Sequence, residues 1–190
     1  MRNHFVRTLL TLVATCAFAA TASAALIGGS MISPSTSMPS SGAGFTIDQI
    51  ADGITADNSP FNGFAAIPGM VGTIHLDLVT TADLASFVLW NDINVLGEGI
   101  SDFRLDFFDA SNVLISSSPA YVGPYGQVAP QTYTFPGPVL GVKRVDLVVQ
   151  TLNPSPCCGL RLEIREVAFN SAPTTSTPTS TWGGIKSLYR

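Results

Sequence analysis

Many short segments of this chain alternate apolar and polar residues with a period of two, and turn formers separate them. Ile74, Leu76 and Leu78 alternate with Thr73, His75 and Asp77. Phe103, Leu105 and Phe107 alternate with Asp102, Arg104 and Asp106. Val145, Leu147 and Val149 alternate with Arg144, Asp146 and Gln150. Leu160, Leu162 and Ile164 alternate with Arg161, Glu163 and Arg165, and Val167 and Phe169 close the series. Successive strand side chains point to opposite faces, so each such segment has one face for a core and one for water. Residues 85–90 are almost wholly apolar and predict a strand buried on both faces. Residues 113–117 read as a hairpin partner across the turn at 109–112, and 132–135 as one more short strand. No amphipathic helix and no internal repeat is visible. The pattern predicts an all-β antiparallel sandwich or barrel. Leu76, Val88, Phe103, Leu105, Leu147, Leu162 and Phe169 are its expected core, and Trp90 is expected there too.

The ends have a different character. Arg2 and Arg7 precede an apolar stretch over 9–20, and Ala22-Ser23-Ala24 offers small residues for a signal peptidase. This is the layout of a signal peptide over 1–24, so the chain is expected to be exported: extracellular, periplasmic or at the cell surface. A lipoprotein signal around Cys16 is the alternative, although Thr15 suits it poorly. The apolar stretch is shorter than the roughly 20 residues of a spanning helix, so no transmembrane segment is expected. Residues 25–44 are rich in Gly, Ser and Pro and read as a lead-in with at most one short strand. Residues 170–181 form a Ser/Thr/Pro linker. Residues 182–190 end the chain with a distinct aromatic and basic motif, expected to act as an address or to be a disordered tail.

Charge narrows the partners. The whole chain has nine Lys and Arg against thirteen Asp and Glu. Loss of residues 1–24 removes two of the basic residues and none of the acidic ones, leaving 7 − 13 = −6. Nucleic acid and anionic membranes attract basic surfaces, so neither is expected as the main partner. Only 12% of residues are charged, so Ser, Thr and Asn must cover much of the surface.

Several motifs together resemble the coagulation factor 5/8 type C family, the discoidin or galactose-binding-like domains. They are Asp52-Gly53, the strand Ile74-His75-Leu76-Asp77-Leu78, Leu89-Trp90-Asn91, the run from Gly99 through Phe103 to Leu105, and the closing Leu160-Arg161-Leu162-Glu163-Ile164-Arg165-Glu166-Val167-Ala168-Phe169. The likeness covers about residues 45–169. It implies a jelly-roll-like β-sandwich with binding loops at one end and no catalytic role. Family members bind glycans, phospholipid headgroups or proteins. Phe64 stands where many members carry a Trp, and the disulfide that joins the ends in many members has no cysteines here.

The resemblance also implies one structural calcium ion, with Asp52 and Glu166 at the matching positions and Asp57 as a weaker addition. Calcium needs six to eight oxygens, and the turn-rich stretch 51–71 is a plausible source of carbonyls. The plainer reading makes Asp52 a turn cap and Glu166 a solvated strand residue. For a glycan or other cell-surface ligand, the candidate contacts are Tyr121, Tyr125, Phe61 and Asn62, because sugars stack on aromatic faces and amides fix hydroxyls. The expected function is a secreted or surface-displayed binding module for carbohydrate. The alternative is a structural or adhesive surface protein without a small-molecule pocket. Ligand identity and oligomeric state stay open.

Catalysis finds little in the sequence. His75 is the only histidine after residue 24, and alternation puts it on a polar face beside Thr73 and Asp77. No nucleophile elbow, zinc-protease motif or phosphate loop is present. Asp102 and Asp106 flank Arg104, which suggests surface charge pairing. Cys157 and Cys158 are adjacent, so they cannot close a long loop. A vicinal ring, an intermolecular bond or reduced thiols all remain open for them.

Overall fold

The computed structural model describes residues 24–56, 62–93, 98–123, 125, 129–155 and 159–173. Residues 1–23, Asp57, Phe61, the Cys157-Cys158 pair and the tail from 174 lie outside these. The strands are β1 (Leu26–Gly28), β2 (Ile32–Thr36), β3 (Phe64–Ala65), β4 (Thr73–Trp90), β5 (Ile100–Phe108), β6 (Leu114–Ser117), β7 (Tyr121–Val122), β8 (Gln131–Leu152), β9 (Pro154–Ser155), β10 (Gly159–Leu160), β11 (Glu163–Ile164) and β12 (Glu166–Ser171). Two short 3-10 turns, Gly29–Met31 and Ile47–Ala51, are the only helical pieces among the described residues.

The chain builds an antiparallel two-layer sandwich, as the alternation predicted. One layer runs β2, the first half of β4, the second half of β8 and β5, with β6 and β7 on its edge. The other runs β1, β12, the second half of β4 and the first half of β8. Strands β4 and β8 therefore belong to both layers. They cross between them where the pairing register shifts, after Asp77 and again before Ser86. Extra residues in a ladder bend a strand and let it turn a corner. The sequence splits each of these strands in two, at 73–78 and 85–90 and at 132–135 and 145–150. The link over 79–84 holds no Gly or Pro, so nothing breaks the extended backbone there. In β8 the bend falls at Pro136-Gly137-Pro138 and Gly141. The Gly141 N–H donates to Asp83 at 2.8 Å, and Lys143 Nζ donates to the Leu78 and Val79 carbonyls, which ties the two corners together.

The core lies between the layers. Leu76, Phe103, Leu105, Leu147, Leu162 and Phe169 are fully buried and Val88 nearly so, in agreement with expectation. Phe87 meets Phe103 edge-on at 5.9 Å and Phe169 at 5.3 Å, and Phe107 meets Phe135 at 5.1 Å. Burying a ring of this size contributes on the order of 2–3 kcal/mol. Phe64 is buried beneath the loops.

Three expectations need correction. Residues 26–36 supply two strands, not one at most: β1 pairs with β12 and β2 with β4. Strand β12 continues through Asn170 and Ser171, into the stretch expected as linker. The run 160–165 is not one regular strand. It breaks into β10 and β11, and Arg165 is a bend whose N–H donates to the Trp90 carbonyl at 2.9 Å. Glu163 and Arg165, expected to face water, are buried, while Leu160 is exposed.

Candidate functional site

Loops gather at one end of the sandwich, and short buried contacts lock them together. Asn91, just after β4, donates through Nδ2 to the Ile100 carbonyl at 2.8 Å and accepts the Ile100 N–H at Oδ1 at 2.7 Å. Asn153, just after β8, donates to the same carbonyl at 3.1 Å. The Gly99 N–H donates to the Arg161 carbonyl, and the Asn153 N–H to the Gly99 carbonyl. Gly123 sits so close that an added Cβ would lie 2.3 Å from the Ile100 oxygen. Arg165 donates to the carbonyls of Ile93 and Thr55, which joins the loop after β4 to the turn-rich loop before β3. Buried polar groups matched in this way rigidify a site.

The candidate ligand contacts scatter across this end. Tyr125 is 56% exposed, the most open aromatic side chain among the described residues. Tyr121 belongs to β7, and its ring packs on Phe103 at 5.6 Å and Tyr133 at 5.1 Å. Its hydroxyl is buried with no hydrogen-bond partner among the described residues, and burial raises its pKa above the usual tyrosine value. Burial pushes neighbouring Tyr133 up to about 12. Asn62 is half-buried and donates to Asp52 Oδ2 at 2.9 Å. Phe61 lies outside the described residues.

Asp52 and Glu166 do come near each other, but their partners are N–H donors. The Gly53 N–H lies 3.3 Å from each Glu166 carboxylate oxygen. Asp52 Oδ1 accepts the Ile54 N–H at 2.8 Å and Oδ2 accepts Asn62. Burial raises Glu166 to about 7, and the Asp52 charge adds to this against the amide bonds of Gly53, Asp52 and Gly29. Calcium needs a cage of oxygens. Hydrogen-bond donors aimed at both carboxylates are the opposite polarity, so this pair fits calcium poorly as arranged.

A second carboxylate group escaped sequence reading. Asp92, Glu98 and Glu163 each place a carboxylate oxygen within 4.8 Å of the others, and all three are buried to 2% exposure or less. Glu163 Oε1 accepts from Arg161 Nη1 at 3.2 Å. Glu163 Oε2 and Glu98 Oε1 are buried without a hydrogen-bond partner among the described residues. Burial, then the charge of Glu98, holds Glu163 well above the usual carboxylate range. Asp92 and Glu98 bracket one loop, which was a faint signal. Glu163 carried none, because alternation assigned it to water.

No family model matches the chain, and no curated protein matches its sequence. Solved structures match its fold. A family 32 carbohydrate-binding module from C. perfringens NanJ, in complex with galactose, superposes with a TM-score of 0.59, covering 78% of this chain and 98% of its own at 11% identity. An F5/8 type C domain from Bacteroides fragilis gives 0.57, covering 78% and 96% at 12% identity. A Streptococcus pneumoniae fucose binding module gives 0.56, covering 76% and 96% at 14% identity. The fold is that of the F5/8 type C domains.

On this F5/8 type C fold, the described residues line hollows at the surface. A cleft of about 240 Å³ is lined by Trp90, Leu26, Met31, Thr55 and Glu166. Trp90, expected in the core, is only partly buried and forms one wall. A larger apolar trough of about 530 Å³ lies between β6 and the bend of β8, with Phe107, Ile115, Phe135 and Leu140 on its walls. His75 stands apart from both hollows on the polar face of β4, 2.7 Å from Asp146. Arg104 pairs with Asp106 at 3.1 Å, the surface pairing expected from their spacing. No helix among the described residues is long and apolar enough to cross a membrane.

Proposed function

We propose that the chain is an exported, non-catalytic module that binds a glycan through its loop end. The observation that supports this most is the fold match to carbohydrate-binding modules over nearly their whole length, one of them described in complex with galactose and another as fucose binding. Fold alone does not set function, so the loops must carry the reading. Their locked backbone suits a sugar site, because a preorganised loop loses little entropy on binding. Tyr125 is the proposed stacking platform, since it offers an open aromatic face. Asn62 and Tyr121 are proposed as further contacts, and so is Phe61, which lies outside the described residues. Any shallow sugar site of this kind is expected to be weak, with a Kd on the order of 10 μM to 1 mM.

A glycan array probed with the folded chain and with its Tyr125→Ala variant tests the proposal. The wild type is expected to mark a defined sugar class, and Tyr125→Ala to lose at least about tenfold in affinity at unchanged melting temperature. Equal binding by the variant would remove Tyr125 from the site.

One observation favours the adhesive alternative. Val113, Leu114, Ile115 and Val122 are 59%, 53%, 41% and 65% exposed on or beside the edge strands β6 and β7. Apolar edges of this kind invite pairing with a second chain. Concentration-dependent self-association in sedimentation, without binding on the array, would support that reading.

A further inference from the structure

We propose that Asp92, Glu98 and Glu163 hold one calcium ion inside the loop end of the sandwich. This site is separate from the Asp52 and Glu166 pair, and it does not rest on the glycan proposal.

Distance is the first support. Two oxygens bound to one calcium at about 2.4 Å lie at most about 4.8 Å apart. The three carboxylates meet that limit mutually. Burial is the second. Glu98 is 2% exposed and Glu163 1%, yet Glu98 Oε1 and Glu163 Oε2 have no hydrogen-bond partner among the described residues. A buried, unsatisfied carboxylate oxygen is costly, and three crowded together more so. Charge is the third. Arg161 brings one positive charge through its bond to Glu163 Oε1. Carboxylates crowded this closely repel one another when ionised, and a divalent cation among them would offset that repulsion.

Ligand chemistry selects the ion. An all-oxygen group without His or Cys disfavours zinc. Magnesium keeps several of its waters and demands a near-ideal octahedron. A group buried to this depth has little room for those waters. Three carboxylates offer up to six oxygens in mono- or bidentate modes, which suits the larger and more tolerant calcium. The ion would cross-link the loop after β4, through Asp92 and Glu98, to β11, through Glu163. It would thereby brace the loop end on which the glycan site is proposed.

The test uses the full chain freed of metal with chelator and then titrated with calcium or magnesium chloride at constant ionic strength. Melting temperature and bound metal per chain are read together. Calcium at 1 mM is expected to raise the melting temperature by at least about 5 °C, with about one ion bound per chain and little response to magnesium. Glu98→Gln and Glu163→Gln should abolish both readouts, while Asp52→Asn and Glu166→Gln keep them. Glu98→Gln is the milder variant, because it removes charge while keeping the size and shape of the side chain, and its metal-free form should melt no lower than the wild type. If the wild type binds no calcium and does not shift, the proposal fails. It also fails if the response survives Glu98→Gln but disappears in Asp52→Asn, because the ion then belongs to the other pair.

Discussion

The backbone N–H of Gly53 lies 3.3 Å from both carboxylate oxygens of Glu166, bridging 113 residues of sequence. The contact pins the loop before β3 to the start of β12, where burial raises the Glu166 carboxyl to about 7 against the lowering effect of this bond.

That shift fixes the sign of a pH dependence. A carboxyl whose folded pKa lies above its unfolded value stabilises the fold fully below about pH 4.5, and this stability is lost as pH rises through about 7. The full loss is on the order of 3 kcal/mol. Glu166→Gln removes the titration while keeping an acceptor for the Gly53 N–H. The variant should melt with the wild type at pH 5 and above it at pH 8. Parallel melting curves across this range would show that Glu166 does not titrate there.

Tyr121 has a buried hydroxyl with no partner among the described residues and a ring packed on Phe103 and Tyr133. Removing an unsatisfied hydroxyl without changing shape is close to neutral or stabilising, by up to about 1 kcal/mol. Tyr121→Phe should therefore keep both stability and glycan binding, as read by thermal melts and direct titration. A loss of binding at unchanged stability would put the hydroxyl in contact with ligand.

Gly123 tests whether the loop knot matters. A Cβ there would meet the Ile100 oxygen at 2.3 Å and Asn91 Nδ2 at 2.9 Å. Neither neighbour can yield, because Asn91 and Asn153 both donate to that oxygen. Gly123→Ala should cost at least about 2 kcal/mol and lower the melting temperature by about 4–8 °C. A melt within a degree of wild type would mean that the loops are looser than these contacts imply.

Alternation made the core legible because every apolar face of 73–78, 103–107 and 145–149 packs inward, and Leu76, Phe103 and Leu147 are buried as their parity demands. Parity failed at 160–165. There the Arg165 bend at Trp90 breaks the strand, so Glu163 and Arg165 turn inward while Leu160 turns out. The lead-in strands were illegible for another reason. Ile32–Thr36 holds a proline and three hydroxyl-bearing residues, and only its pairing with β4 makes it a strand. Of the site, the approach of Asp52 to Glu166 was legible through the family resemblance, but its N–H partners were not. Glu98 and Glu163 lie 65 residues apart and meet only through the fold.

Titration calorimetry of the folded chain against galactose- and fucose-terminated oligosaccharides tests the glycan proposal most directly. It should be run with calcium and again with chelator. At least one such sugar is expected to bind saturably, at one site per chain, with a Kd below about 1 mM and with weaker binding in chelator. No saturable heat with any of these sugars at millimolar concentration, from protein shown to be folded in the same buffer, would contradict it.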